Sequence, residues 1–217
     1  AEWIVSPENP LVPRVIVNRY WQLLFGTGLV RTSEDFGSQG EFPTHPELLD
    51  HLAAEFVADG WNVHRLLERI VLSRAYRRSS YVDPIQRERD PEARLLGRMP
   101  RHRLDAEVLR DSALAVSGLL DRTLGGPSDH PLQPDGLWRE ISHFGHPIPF
   151  TAQHQYPDHD AGVRRRSLYV FRKRTSPPPI LTTFDATNRE TCSVRRSRTN
   201  TPLQALAVMN EPLFVAS

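Results

Sequence analysis

Apolar residues recur every three or four positions in five stretches of the chain, and each stretch carries its own start or stop signal. The first, ENPLVPRVIVNRYWQLLFGTG, reads as a helix with Asn9 as N-cap and Pro10 in the first helical position. Its apolar stripe is Val12, Val15, Ile16, Tyr20, Leu23 and Leu24, and Gly26 or Gly28 ends it. THPELLDHLAAEFVADGW sets a capping box at Thr44 and Glu47, then Leu48, Leu49, Leu52, Ala53 and Phe56 at helical spacing, with Gly60 as the stop. A third helix starts at Asn62 and turns Val63, Leu66, Leu67, Ile70 and Val71 inward. RHRLDAEVLRDSALAVSGLLDRTLGG predicts a long fourth helix ended by Gly125 and Gly126. TPLQALAVMNEPLF repeats the cap grammar with Thr201, Pro202 and Gln204.

Between the fourth and fifth helices this periodicity is lost. Residues 126–162 are rich in Pro, Gly, Asp and His and hold no sustained period, so they form a long irregular excursion. RRSLYVFRKR then reads as one short strand with a β-branched and aromatic centre, and the prolines at 177, 178 and 179 end it. The expected fold is mainly α: a single multi-helix domain over 1–217, with one short β element and the His/Pro-rich excursion.

Composition narrows the class. A chain of 217 residues with 39% hydrophobic and 24% charged residues can bury an ordinary core. Cys192 is the single cysteine, which excludes an intrachain disulfide framework and a cysteine-rich zinc site. No apolar run approaches a bilayer span. With no initial methionine and a helical pattern still running at EPLFVAS, the chain reads as a piece of a longer protein.

Charge is spread unevenly. Lys173 is the only lysine, and ten basic residues against two acidic ones lie between Gly162 and Arg198, in a chain whose net charge is +1. That basic segment faces either the protein's own acidic helices or an anionic partner.

Phrases such as VNRYWQLLFG and TNTPLQAL, together with RHRLDAEVLRDSALAVSGLLDRTLGG and RRRSLYVFRKRTSPPPILTTFDATNRETCSVRRSRTNTPLQALAVMNEP, resemble the planctomycete PSD family, a domain of unknown function. The resemblance covers nearly the whole chain apart from the His-rich excursion. It implies an extracytoplasmic setting, periplasmic or at the cell surface, C-terminal in a large exported bacterial protein. Companion domains there often include a cytochrome-c-like one, with links to redox chemistry or to capture of polysaccharide. It supplies no catalytic residues. The chain has no C-x-x-C-H, so it carries no covalent haem of its own and any haem belongs to a neighbouring domain.

Several residue sets bear on chemistry. His143, His146, His154 and His159, with Asp158 and Asp160, offer nitrogen and oxygen donors for a metal, although no helix sets their spacing and a solvated polar loop explains them as well. Glu107 and Asp111 stand four apart on one helical face, as paired carboxylates for acid–base work on a glycan would; structural ion pairing with nearby arginines accounts for the same pattern. Cys192 sits in the field of Arg189, Arg195 and Arg196, which favours a thiolate, yet a lone cysteine is ordinarily a small packed side chain. Asp185 suits a turn cap or an arginine clamp.

Arg164, Arg165, Arg166, Arg172, Arg174, Arg195 and Arg196 form the strongest set, because a guanidinium fork grips carboxylate, sulfate or phosphate. Charge alone also admits nucleic acid, but no reading motif accompanies it. Two function classes follow. One is a structural or anionic-ligand module, with an acidic polysaccharide as a candidate ligand. The other is a glycan hydrolase or redox-linked enzyme domain using Glu107 and Asp111 or the histidine loop.

Overall fold

The computed structural model describes residues 2–6, 8–132, 162–173 and 177–217. It is mainly helical, and the chain divides into two compact units, Ala1–His102 and Arg103–Ser217, each built around apolar residues of its own.

The first unit contains α1 (Glu2–Val5), α2 (Leu11–Phe25), α3 (Pro46–Ala58), α4 (Val63–Val71) and α5 (Pro84–Arg89). Its core is where α2, α3 and α4 meet, around Val17, Trp21, Leu52, Phe56, Leu66 and Ile70. Asn9 caps α2 as expected, its Oδ1 accepting from the backbone N–H of Leu11 (3.0 Å) and Val12 (3.3 Å). Gly26 stops the helix at φ 82°, a conformation in which a side chain would be strained.

The buried face of α2 is rotated from the expected stripe. Pro13, Val17, Asn18, Trp21 and Phe25 are buried, whereas Leu23 is half exposed. The large rings decide this: Trp21 and Phe25 stack with centroids 4.1 Å apart and occupy the volume facing α3 and α4. Asn18 is buried among them because both ends of its amide are bonded. Its Nδ2 donates to the Val30 carbonyl and its Oδ1 accepts from the Val30 N–H, each at 2.9 Å.

At α3 the expected capping box is not formed, and His45, at the N-cap, makes no side-chain cap bond. The Thr44 hydroxyl and N–H both donate to the Leu29 carbonyl instead, so the threonine ties a loop rather than a helix end. Leu49, Leu52, Ala53 and Phe56 are buried as the spacing predicts. Asn62 caps α4 by accepting from the Arg65 N–H at 3.1 Å.

The second unit contains α6 (Ala106–Val116), 3-10 turns at Gly162–Arg164 and Ser167–Tyr169, α7 (Pro179–Thr183), α8 (Pro202–Asn210) and α9 (Pro212–Ala216). The fourth helix is shorter than its sequence pattern, since Gly118 at φ 77° turns the chain and the Leu119 and Leu120 amides fold back onto the Leu114 carbonyl. The fifth is broken in two at Glu211, whose carboxylate caps α9 just before Pro212. Thr201 and Gln204 form the full capping box. Gln204 is itself buried, and its Nε2 also donates to the Thr183 carbonyl (2.9 Å) and the Thr199 hydroxyl (3.0 Å).

In place of a strand at RRSLYVFRKR, the chain makes the Ser167–Tyr169 turn flanked by two isolated parallel bridges, Asp121↔Arg165 and Asp129↔Val170. Side chains of α6 bind the backbone carbonyl of Arg165 and the N–H of Ser167, groups that a strand partner would have used. The apolar core of this unit is small: Ala106, Val170, Leu181 and Phe184, with partly buried neighbours. Charged pairs account for much of what else joins its segments.

Candidate functional site

Helix α6 presents carboxylates to the basic segment at successive turns. Asp105, at its N-cap, accepts from Arg198 Nε at 3.2 Å and lies 3.8 Å from Arg196. Glu107 in the first turn accepts from two arginines, Arg172 at 2.8 Å through Oε1 and Arg196 at 2.7 Å through Oε2. A carboxylate is favoured at this end of a helix by the exposed N–H dipoles. One side chain thus joins stretches of chain 65 and 89 residues away. Arg172 also donates to the Thr187 carbonyl, and only 8% of its side chain is exposed.

One turn on, Arg110 is buried and donates to the carbonyls of Arg165 and Val163 and to the Ser167 hydroxyl. Asp111 accepts from the Ser167 N–H at 2.8 Å and from its hydroxyl at 2.6 Å. Arg165 is buried as well: it pairs with Asp129 at 3.1 Å, donates to the carbonyls of Pro127 and Gly125, and lies 4.0 Å from the ring centroid of Tyr169. Asp185 clamps Arg103 and accepts from the Thr199 N–H and hydroxyl, the arginine-clamp role its position suggests. It does so at φ 60°, a left-handed conformation that aspartate tolerates better than most residues.

These contacts set the proton affinities. Burial raises the Glu107 carboxyl, but its own backbone N–H, Arg196 and Arg172 together outweigh that and hold it below the ordinary glutamate range. Asp185 is similar: burial raises it, while Thr199 and Arg103 bring it below the ordinary aspartate value. A carboxyl kept for general-acid work is shifted the other way. Glu107 and Asp111 share a helix, but each serves a different part of the basic segment, so the structure joins them to arginine, serine and backbone and not to one another.

Because both folded-state pKa values are depressed, the stability they contribute is present above the unfolded carboxylate pKa and lost as pH falls through the folded values. Denaturant unfolding is therefore expected to show the second unit weakening on acidification below about pH 4. In Glu107→Gln this loss is smaller between pH 7 and pH 3; an unchanged pH slope would remove Glu107 as its source.

The remaining sequence candidates divide clearly. Arg164 and Arg195 are exposed and Arg166 is half-buried, and none makes an ion pair among the described residues. Cys192 is exposed. Arg174, His143, His146, His154 and His159, with residues 133–161 of the excursion, lie outside the described residues. Among the described residues, no group of His, Cys, Asp and Glu is placed to hold a metal, and no helix is long and apolar enough to cross a membrane.

The sequence reading missed a groove in the first unit that involves Phe36, Phe42 and Asp50. Its signal was the glycine-spaced run FGSQGEF, in which two phenylalanines fall outside any helical stripe.

A family model described as PSD1, protein of unknown function (DUF1553), matches residues 1–217. No curated protein and no solved structure matches the chain.

Proposed function

The chain belongs to the PSD1 family, proteins of unknown function (DUF1553), and from that premise we propose that it is a structural and anion-binding module of a larger exported bacterial protein, without catalysis at Glu107 and Asp111. The observation that carries this reading is the division of the arginines into two sets. Arg165, Arg172 and Arg196 bind carboxylates of their own unit, and Arg165 and Arg172 are largely buried in doing so. Arg164 and Arg195 remain exposed, ready to grip an acidic polysaccharide or another polyanion. Companion domains of the same protein, a haem-bearing one among them, and an extracytoplasmic site are part of this reading and rest on the family resemblance.

The variants that test it follow from the geometry. Arg165→Ala would cut the clamp on residues 125–129 and confuse folding with binding. Arg164→Ala/Arg195→Ala instead removes exposed charge alone. Dextran sulfate or polygalacturonate should raise the melting temperature at low salt, lose most of that effect by about 0.3 M salt through screening, and lose it in the double variant; uncharged dextran should do nothing. No shift at low salt sinks the anion-binding half of the proposal, as does a shift the double variant leaves intact. Turnover of either polymer that Glu107→Gln abolishes in a folded chain would make it a hydrolase instead.

A further inference from the structure

Beside the core of the first unit lies an open groove of about 440 Å³, the size of a small-molecule site and independent of the arginine network. Val30 and Leu49, each 2% exposed, belong to both the groove and the core. Phe36 and Phe42 contribute rings, and Phe42 is 93% exposed, an uncommon state for a phenylalanine in a well-tied loop. That loop is held by its own bonds. The Thr32 hydroxyl donates to the Asp35 carbonyl and accepts from the Glu41 N–H, and Asp35 Oδ1 accepts from the Gly37 N–H. A Cβ on Gly40 would come within 2.2 Å of the Asp35 carbonyl oxygen, so the turn that presents Phe42 requires glycine there. The rings are therefore displayed by a folded loop.

Among the polar side chains of the groove, Asp50 and Glu41 bring acceptors only, Ser38 a hydroxyl and Arg14 donors. Asp50 receives Arg14 Nε on Oδ1 at 2.7 Å, and Glu41 receives Arg94 on Oε2 at 3.1 Å, so each carboxylate has a second oxygen without a bond to protein among the described residues. Arg14 directs its Nη1 to the Pro10 carbonyl. Its hydrogen bond holds Asp50 below the ordinary carboxylate range, so that carboxylate is charged at neutral pH. An ammonium brings donors only and is attracted to the faces of aromatic rings.

We propose that this groove binds a small organic ammonium ion, its apolar body lying against Phe42, Phe36 and Leu49 and its charged head against the open oxygens of Asp50 and Glu41.

The test is calorimetric titration of the 217-residue chain with benzylammonium, with benzyl alcohol as the uncharged match in shape, and with cellobiose. Saturable binding of benzylammonium is expected, at least about tenfold tighter than the alcohol, and weakened at least about tenfold in Phe42→Ala and in Asp50→Asn. Both positions are solvent-exposed, so both variants should keep the wild-type melting temperature within a few degrees. Four results overturn the proposal: no saturable binding of the amine, equal affinity for the alcohol, an affinity that either variant leaves unchanged, or cellobiose binding in the amine's place.

Discussion

Asn18→Ala will unfold the first unit at markedly lower denaturant than the parent chain, by about 3–5 kcal/mol, and Asn18→Asp will do nearly as much harm. The amide of Asn18 lies in the core at 1% exposure and takes both the donor and the acceptor of Val30, itself 2% exposed. Alanine strands that N–H and that carbonyl together, each at the cost of desolvation without a partner, and leaves a void where α2 faces the chain at Leu29 and Val30. Aspartate keeps the shape but sets an oxygen against the Val30 carbonyl, so the acceptor is not merely lost but repelled. Urea unfolding followed by the fluorescence of Trp21 and Trp61, both packed on this core, reads the effect directly. Stability within about 1 kcal/mol of wild type in the alanine variant would mean that the Val30 pairing contributes little.

Removal of the Glu107 carboxylate is the second large effect, and its sign separates a structural role from a catalytic one. Glu107→Ala leaves Arg172 with its positive charge in a site where only 8% of its side chain reaches solvent, and leaves Arg196 without its 2.7 Å partner. Loss of one member of a buried pair costs more than the pair contributes over an apolar replacement, here about 2–4 kcal/mol. Glu107→Gln should cost less, because the amide oxygen still accepts one of the two hydrogen bonds. A double replacement, Glu107→Leu with Arg172→Met, should recover much of the loss, since no charge is then stranded on the Arg172 side. Thermal unfolding of the three variants tests this; an alanine variant as stable as the parent would show that the arginines find other partners in water.

Local grammar was legible wherever the contact it described was local. Asn62 caps α4, the Thr201–Gln204 box is complete, and Gly26 ends α2, all from residues within four positions of each other. The errors came where a distant group competed for the same atoms. Thr44 has the sequence of a capping box, but the Leu29 carbonyl takes its hydroxyl. Residues 167–171 have the composition of a strand, yet Asp111, 56 positions earlier, holds the Ser167 N–H. The α2 stripe was right in part: Ile16, Tyr20 and Leu24 pack against the core, but periodicity weighs all apolar residues alike, while packing favoured the stacked rings of Trp21 and Phe25 at its centre. Charge counting did expose the excess of cations after Gly162 and named the protein's own acidic helices as one of two candidate mates. Which arginine meets which carboxylate was beyond it, since Arg172 and Glu107 lie 65 positions apart with nothing between them to set a register.

Gln204 has a further consequence for how the C-terminal helices come apart. Its side chain joins the end of α7, the residues before α8 and the N-cap of α8 through Thr183, Thr199 and Thr201. Peeling away the first turn of α8, which carries Gln204, breaks the bonds to Thr183 and Thr199 together, so fraying from that end has no cheap first step. In hydrogen-exchange terms the amides in the first turn of α8 are therefore expected to open less readily than those of a helix held only by its own ladder, which would fray from its tip inward.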